Sequence, residues 1–313
     1  MMDALVRVPR IAVLLATYNG GRWVGEQIDS VLRQKKVDVT VIIRDDGSID
    51  STLEIARSFE ATGNGRIKIL SGHRSGSAAK NFFFLMLNAP LDEFDYIAIC
   101  DQDDIWLPTK LERAVAVLQR TGAVGYSSSV IAFWPNGASV RLDQKKGVTR
   151  FDFLFEGAGQ GCTFVVTREM MDAARLVLNK FPKTIYEFYF HDWFLYALAR
   201  IHDLSWVIDD SAALVRYRQH SENVIGARNG VGAGISRLKR VRSGWYRAQI
   251  TACVRLYKAI DPESADSRFV RLLELTKRNA FERLWLACHA IKFSRRRKID
   301  RLVIGMAVLL GYI

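Results

Sequence analysis

Asp101-Gln102-Asp103-Asp104 gathers three carboxyl groups within four residues, directly after an apolar run. Like charges this close oppose one another's ionisation unless a cation sits among them. A hard divalent ion, Mg2+ or Mn2+, held by carboxylate oxygens and shared with a substrate's diphosphate, resolves that conflict. The plain alternative is a solvated acidic loop that caps the following helix. A second acidic turn, Asp45-Asp46-Gly47-Ser48, follows another apolar run. There Asp46 can accept the ring N–H of a uracil or thymine, although Asp and Gly favour turns in any case. Ala16-Thr17-Tyr18-Asn19-Gly20 carries an aromatic ring that can stack on a nucleobase. It is not a GxGxxG turn, so NAD and FAD are disfavoured as ligands. His191-Asp192-Trp193 puts a carboxylate near the start of an aromatic helix. Partly desolvated, it suits a general base; otherwise it is an ordinary acid in a first helical turn. Last, Arg216-Tyr-Arg-Gln-His-Ser-Glu-Asn223 sets His220 beside Arg216 and Arg218 at a strand end. A lone His is more often structural than a ligand.

The elements that must position these groups alternate regularly. Ile11–Ala16, Val39–Arg44, Arg66–Leu70 and Asp95–Cys100 read as strands, the first an unbroken apolar run of the kind buried in a parallel sheet. Helices are expected over residues 22–34, from Asp50 or Ser51 to Ala61, over 78–88, and from Pro108 onward. The result is an α/β fold with right-handed crossovers. The polar motifs lie after the C-terminal ends of strands one, two and four, the edge where open α/β sheets bind ligands. Farther on, Val124–Phe133, Gly161–Thr167, Ser205–Ile208 and Ala212–Tyr217 read as strands. Arg168–Asn179 and His191–Ile201 read as helices. Asn229–Gly234 reads as a linker, ahead of helical stretches near 235–260 and 265–293.

Taken in this order, the motifs resemble family 2 inverting glycosyltransferases of the GT-A fold, over about residues 10–225. ATYNG, DDGS and DQDD carry the match. DQDDIW and YRQHSEN further resemble the rhamnosyltransferase branch that builds O-antigen and other bacterial surface polysaccharides. The resemblance implies that Thr17, Tyr18, Asn19 and Asp46 hold the nucleotide base and that Asp101 contacts the ribose side. It implies a metal on Asp103, with His220 in the place of a further ligand, and Asp192 as the base. Asp104, Trp106, Gly159, Gln160, Gly161, His191 and Arg218 are then expected around the donor and acceptor sugars. The implied donor is dTDP-rhamnose or a UDP-sugar, and the implied acceptor a glycan or lipid-linked glycan. The QxxRW motif of processive synthases is absent, which argues against a polymerising enzyme.

Charge divides the chain at about the same point as the resemblance. Residues 226–313 hold 19 Lys and Arg against 6 Asp and Glu, whereas residues 1–225 are nearly neutral. The expected organisation is a catalytic domain over 1–226 and a basic helical region over 227–313. Such asymmetry points to an anionic membrane surface or to nucleic acid. The aromatic interleaving of an RNA-binding sheet is missing, so nucleic acid is not the expected partner. A nucleotidyltransferase also joins an α/β sheet to an acidic pair. It would carry a Gly-rich, basic phosphate loop after the first strand, and ATYNGG is not one. The four cysteines are scattered with no CxxC, and no signal peptide is visible, which fits a reducing cytoplasm. The apolar run Leu302–Ile313 reaches only about 18 Å as a helix, too short to cross a bilayer. The protein is therefore expected at the inner face of the cell membrane, peripherally bound.

Overall fold

A computed structural model describes residues 7–144, 147–220, 243–275 and 277–313. By internal contact the chain divides into two compact units. The first comprises Met1–Gln144, Gly159–Lys180 and Ser205–His220; the second comprises Lys145–Ala158, Phe181–Leu204 and Ser221–Ile313. The boundary expected near residue 226 falls in 221–242, outside the described residues. The units interleave rather than follow one another along the chain, so His191 and Asp192 belong to the second.

The first unit is built on a seven-stranded sheet. At its centre β1 (Arg10–Thr17) runs parallel to β2 (Asp38–Asp45) on one side and β4 (Tyr96–Cys100) on the other, with β3 (Ile67–Ile69) outside β2. Every residue from Ile11 to Thr17 is buried, as expected of a central strand covered on both faces. Helices α1 (Val24–Leu32), α2 (Thr52–Thr62) and α3 (Ala78–Asn88) are the crossovers. Register then sets the functional edge. Thr17 lies opposite Asp45, and Leu15 opposite Cys100, so the loops after β1, β2 and β4 leave the sheet together.

The other half of the sheet turns antiparallel. β9 (Val165–Thr167) pairs antiparallel with β4 and with β6 (Gly125–Ser128), and β10 (Trp206–Asp209) runs parallel to β6. A second, four-stranded sheet has the order β5 (Ile105–Trp106), β11 (Val215–Arg218), β7 (Val130–Phe133) and β8 (Ser139–Leu142). The single strand expected over Val124–Phe133 is thus two strands in different sheets. The break falls at Ser129, whose amide donates to the Asp209 carbonyl. Gly161–Thr167 likewise opens with a 3-10 turn, Gly161–Thr163, before β9 begins.

The second unit is helical. It contains α7 (His191–Ile201) and helices over Trp245–Ile260, Arg268–Glu274, Ala280–Phe293 and Lys298–Leu309. The one helix expected over 265–293 is therefore interrupted. Asn279 starts the later piece with a capping box, its side chain accepting from the Glu282 amide while Glu282 accepts from the Asn279 amide. Fully buried Asp152 ties the unit together, accepting from Tyr196 Oη at 2.7 Å, Arg200 Nη1 at 2.5 Å and Arg296 Nη1 at 3.0 Å. Arg295 pairs with Glu156 at 3.0 Å. Two cations of the run Arg295–Lys298 are thus spent inside the protein.

Candidate functional site

The loops after β1 and β2 are stitched to each other. Thr17 Oγ1 donates to Asp45 Oδ1 at 2.8 Å, and the amides of Gly47 and Ser48 donate to Asp45 Oδ2 at 3.1 and 2.7 Å. Asp45 is the turn-former of the pair. Asn19 adopts a left-handed conformation, φ +48°, as Asn tolerates better than most residues. Its amide donates to Ser48 Oγ at 2.8 Å and its side-chain oxygen accepts from the Ile49 amide at 3.0 Å. Tyr18 is 43% exposed at this edge, with the Arg74 guanidinium over its ring and donating to its hydroxyl at 2.8 Å.

Asp46, expected to accept a base N–H, is almost wholly buried. Its Oδ1 accepts from Arg44 Nη1 at 2.8 Å and from the Ser75 amide; its Oδ2 accepts from the Gly76 amide at 2.8 Å. Burial works against this charge, but the Ser75 amide, the Arg44 guanidinium and the Gly76 amide outweigh it and hold the carboxyl below its usual range. Arg44 is itself fully buried and also donates to Ser75 Oγ and Asn81 Oδ1, at 2.7 and 2.9 Å. Asp46 therefore has a structural duty beside whatever it offers a ligand.

The acidic loop is clasped to the first loop by Gln102. The Tyr18 amide donates to Gln102 Oε1 at 2.8 Å, and Gln102 Nε2 donates back to the Tyr18 carbonyl at 2.9 Å. Gly20 lies against that clasp: a Cβ there would fall 2.2 Å from Gln102 Oε1. On the far side Arg218 laces the loop to β11, its amide donating to Asp104 Oδ1 at 3.1 Å and its Nε to the Asp103 carbonyl at 2.8 Å. Arg218 also pairs with Glu26. His220 Nε2 lies 2.7 Å from Asp103 Oδ2, and Trp23 stacks on the imidazole at 4.1 Å between centroids.

Asp104 is fully buried, and its Oδ2 lacks a hydrogen-bond partner. Burial, with the charges of Asp103 and Asp101, pushes its carboxyl well above the usual range. Ligand atoms of Asp101, Asp104 and Cys162 lie within 4.8 Å of one another. The carboxylates of Asp101 and Asp104, drawn together in this way, fit a divalent ion, with the Cys162 thiol beside them. Carboxylate oxygens suit Mn2+ or Mg2+, and the Asp103–His220 pair stands outside this group of three.

Trp106, expected to face a sugar, is instead buried in the core on β5, and Lys110 sits over its ring at 3.4 Å from the centroid. Lys110 is buried beneath the acidic loop with no hydrogen-bond acceptor for Nζ, and burial pushes its ammonium down to about 7. Between pH 7 and about 10 the unfolded chain holds this proton and the folded chain does not, so folding stability rises with pH across that window. Chemical denaturation at several pH values is expected to show the rise, and Lys110→Met to flatten it. An unchanged slope in the variant would remove Lys110 as its source.

In the same unit Gly159 takes a φ of +134°, and a Cβ there would meet the Gln144 side chain at 3.1 Å. Gln144 Nε2 donates to Gln160 Oε1 at 2.7 Å, and Gly161 is buried at the head of the 3-10 turn. In the second unit Asp192 is half-buried in the first turn of α7, with the Trp193 amide donating to its Oδ1 at 2.7 Å. His191 is buried, and burial pushes its imidazole down to about 3, so it is neutral at physiological pH.

The structure thus brings Thr17, Tyr18, Asn19, Asp46, Asp101 and Asp103 to one edge of the seven-stranded sheet, with His220, which follows β11 of the other sheet, joined there through Asp103. Sequence reasoning missed Trp23, Glu26, Arg44, Arg74, Ser75, Gln102 and Lys110. Gln102 had a signal, its place inside the acidic motif. The others act through tertiary contacts that no local spacing announces.

Residues 12–175 match the family model described as glycosyl transferase family 2. The chain belongs to that family. It is a glycosyltransferase, and its mixed sheet with flanking helices is the GT-A fold. Along 299 residues it is 37% identical to the dTDP-rhamnosyl transferase RfbG of Shigella flexneri, covering 95% of this chain and 99% of that relative. The putative glycosyltransferase EpsE of Bacillus subtilis is 34% identical over 112 residues, 36% of this chain and 39% of its own length. Among solved structures, TarS 1-349 of S. aureus in complex with UDP-GlcNAc superposes with a TM-score of 0.56 at 15% identity, covering 97% of this chain and 81% of that one.

Proposed function

We propose that this family 2 enzyme transfers a single rhamnosyl group, with inversion, from dTDP-rhamnose to a glycan or lipid-linked glycan acceptor in surface polysaccharide synthesis, such as that of O-antigen. The observation that carries the reading is the joined edge of the first unit, where Gln102 clasps the Tyr18 amide at 2.8 Å and Asp103, next in the chain, meets His220 at 2.7 Å. Near-full-length similarity to RfbG supports the choice of donor.

In this reading Tyr18 stacks on the base, while Thr17, Asn19 and Asp46 shape the loops around it. Asp101 takes the ribose side. Asp103 and His220 would hold Mn2+ or Mg2+, which would offset negative charge on the leaving diphosphate. Asp104, buried under the same loop, accepts from the Arg218 amide and so helps hold the loop's backbone in place. The acceptor hydroxyl oxygen forms a bond to the anomeric carbon, and the bond from that carbon to the diphosphate oxygen breaks on the opposite face. Asp192 takes the hydroxyl proton, and dTDP departs with the bonding electrons. Gly159, Gln160 and Gly161 line the sugar and acceptor side, with Arg218 holding the acidic loop in register. The enzyme works at the inner face of the cell membrane as a peripheral protein. No helix among the described residues is long and apolar enough to cross one.

A donor screen tests this. With Mn2+ or Mg2+ present, dTDP-rhamnose is expected to turn over faster than UDP-sugars. EDTA is expected to abolish turnover, and Asp103→Asn to weaken metal affinity. Activity that survives EDTA would overturn the metal assignment. Calorimetry showing tight GDP or CMP binding and none for dTDP or UDP would overturn the donor.

A further inference from the structure

The last two helices of the second unit, Ala280–Phe293 and Lys298–Leu309, pack on each other as a hairpin. Small residues bring them close: a Cβ on Gly305 would fall 2.5 Å from the Ile291 side chain and 3.4 Å from the Ala287 carbonyl. Their inner faces are apolar and buried, with Leu286, Ala287 and Ala290 on one helix and Ile304, Ala307 and Val308 on the other. Their outer faces are apolar too. On the first helix Phe281, Leu284 and Cys288 are exposed at helical spacing. On the second, Ile299, Leu302, Val303, Met306 and Leu310 are exposed, several of them by more than half. An ordinary surface helix is polar on its outer face, and apolar patches of this kind mark interaction sites.

Charge says what covers it. Lys277, Lys292, Arg297 and Lys298 are exposed around the hairpin. The two acids of residues 277–313 are only half-exposed and already engaged, Glu282 in the capping box and Asp300 at 3.8 Å from Arg295. A second copy docking by this face about a two-fold axis would set cations against cations. Anionic lipid headgroups meet the same rim favourably, at about 1 kcal/mol per basic residue near the surface. Helices of 14 and 12 residues are about 21 and 18 Å long, short of a hydrocarbon core of about 30 Å. They suit a position within the interface plane.

We infer that this hairpin seats its outer apolar face in the headgroup–acyl boundary of an anionic bilayer, with the flanking Lys and Arg on the headgroups. The inference deepens the peripheral-membrane reading above and rests on it. It also moves the contact from a terminal run to a two-helix face.

Cys288 provides the probe, since Cys100, Cys162 and Cys253 are buried and it alone of the four is exposed. The full chain, labelled there with an environment-sensitive fluorophore, is mixed with vesicles of phosphatidylcholine alone or of phosphatidylcholine with phosphatidylglycerol. A blue shift and flotation are expected with the anionic vesicles, both reduced by added salt. Leu302→Glu with Met306→Glu is expected to weaken vesicle affinity at least about tenfold, and Arg297→Glu with Lys298→Glu to remove the preference for anionic lipid. Both pairs are exposed, so circular dichroism should match the parent. No shift with anionic vesicles would overturn the inference. So would a shift on concentrating the protein without lipid, together with a dimer in sedimentation, which would assign the face to a second copy. Donor hydrolysis measured on the same sample separates the two readings. dTDP-rhamnose hydrolysis without vesicle binding refutes the hairpin alone, whereas vesicle binding without that hydrolysis refutes the donor assignment alone.

Discussion

Asp192→Asn is expected to lose about 10²–10⁴-fold in transfer rate while donor affinity stays near that of the parent. An inverting displacement needs one group to receive the acceptor proton as the new bond forms. The amide of Asn keeps the shape but offers no basic oxygen. Asp192 stands in the first turn of α7, where the Trp193 amide already donates to Oδ1 at 2.7 Å. That bond and the helix N-terminus stabilise the anion and fix the carboxylate's orientation. The local fold is at little risk, because the Asn side-chain oxygen can accept the same amide. The check is a rate measurement at saturating donor with calorimetric donor binding alongside. Near-parent turnover would remove Asp192 from the chemistry, and loss of donor binding would recast it as a binding residue.

The second large effect is on stability. Asp46→Ala is expected to cost about 3–5 kcal/mol, because it leaves the Arg44 charge buried without its carboxylate. Both side chains of the pair are almost fully shielded, at 0% and 5% exposure. The cost is a large fraction of the roughly 5–15 kcal/mol that a domain has in hand. Removing both charges in Arg44→Met with Asp46→Ala should restore part of it. The pH dependence has a definite sign. The folded carboxyl titrates below its ordinary value, so its contribution is fully present above the unfolded value near 3.9. It is lost as pH falls through the lower folded value. Urea denaturation at neutral and acid pH measures this. A midpoint for Asp46→Ala equal to the parent's at neutral pH would refute it.

Much of the site could be read from the sequence because it sits on the strands that are easiest to read. β1, β2 and β4 are short apolar runs that each end in a polar motif, and parallel pairing with Thr17 opposite Asp45 brings those ends together. What stayed hidden depends on partners far along the chain. The run Val124–Phe133 looks continuous, yet it changes sheets at Ser129, because local pattern carries no record of which strand lies alongside. Trp106 looked like a pocket aromatic by its place in the acidic motif, but β5 pairs with β11 and turns it into the core. Arg44 could not be singled out either: a basic residue on a strand is ordinary until Asp46, Ser75 and Asn81 converge on it.

The sequence by itself determined the α/β class, the family and the residue types at the polar edge, since these follow from periodicity and from motifs contiguous in the chain. It also located the basic, apolar C-terminal region. Only the tertiary structure decided which groups meet. It set His220 beside Asp103 across more than a hundred residues, buried Asp104 and Lys110 beneath the acidic loop, and spent Arg295 and Arg296 on Glu156 and Asp152. It also decided sidedness in the final hairpin. The helices there are apolar around most of their circumference, so periodicity alone does not choose the inner face. Close packing at Ala287 and Gly305 does, and it leaves the opposite apolar stripe facing outward.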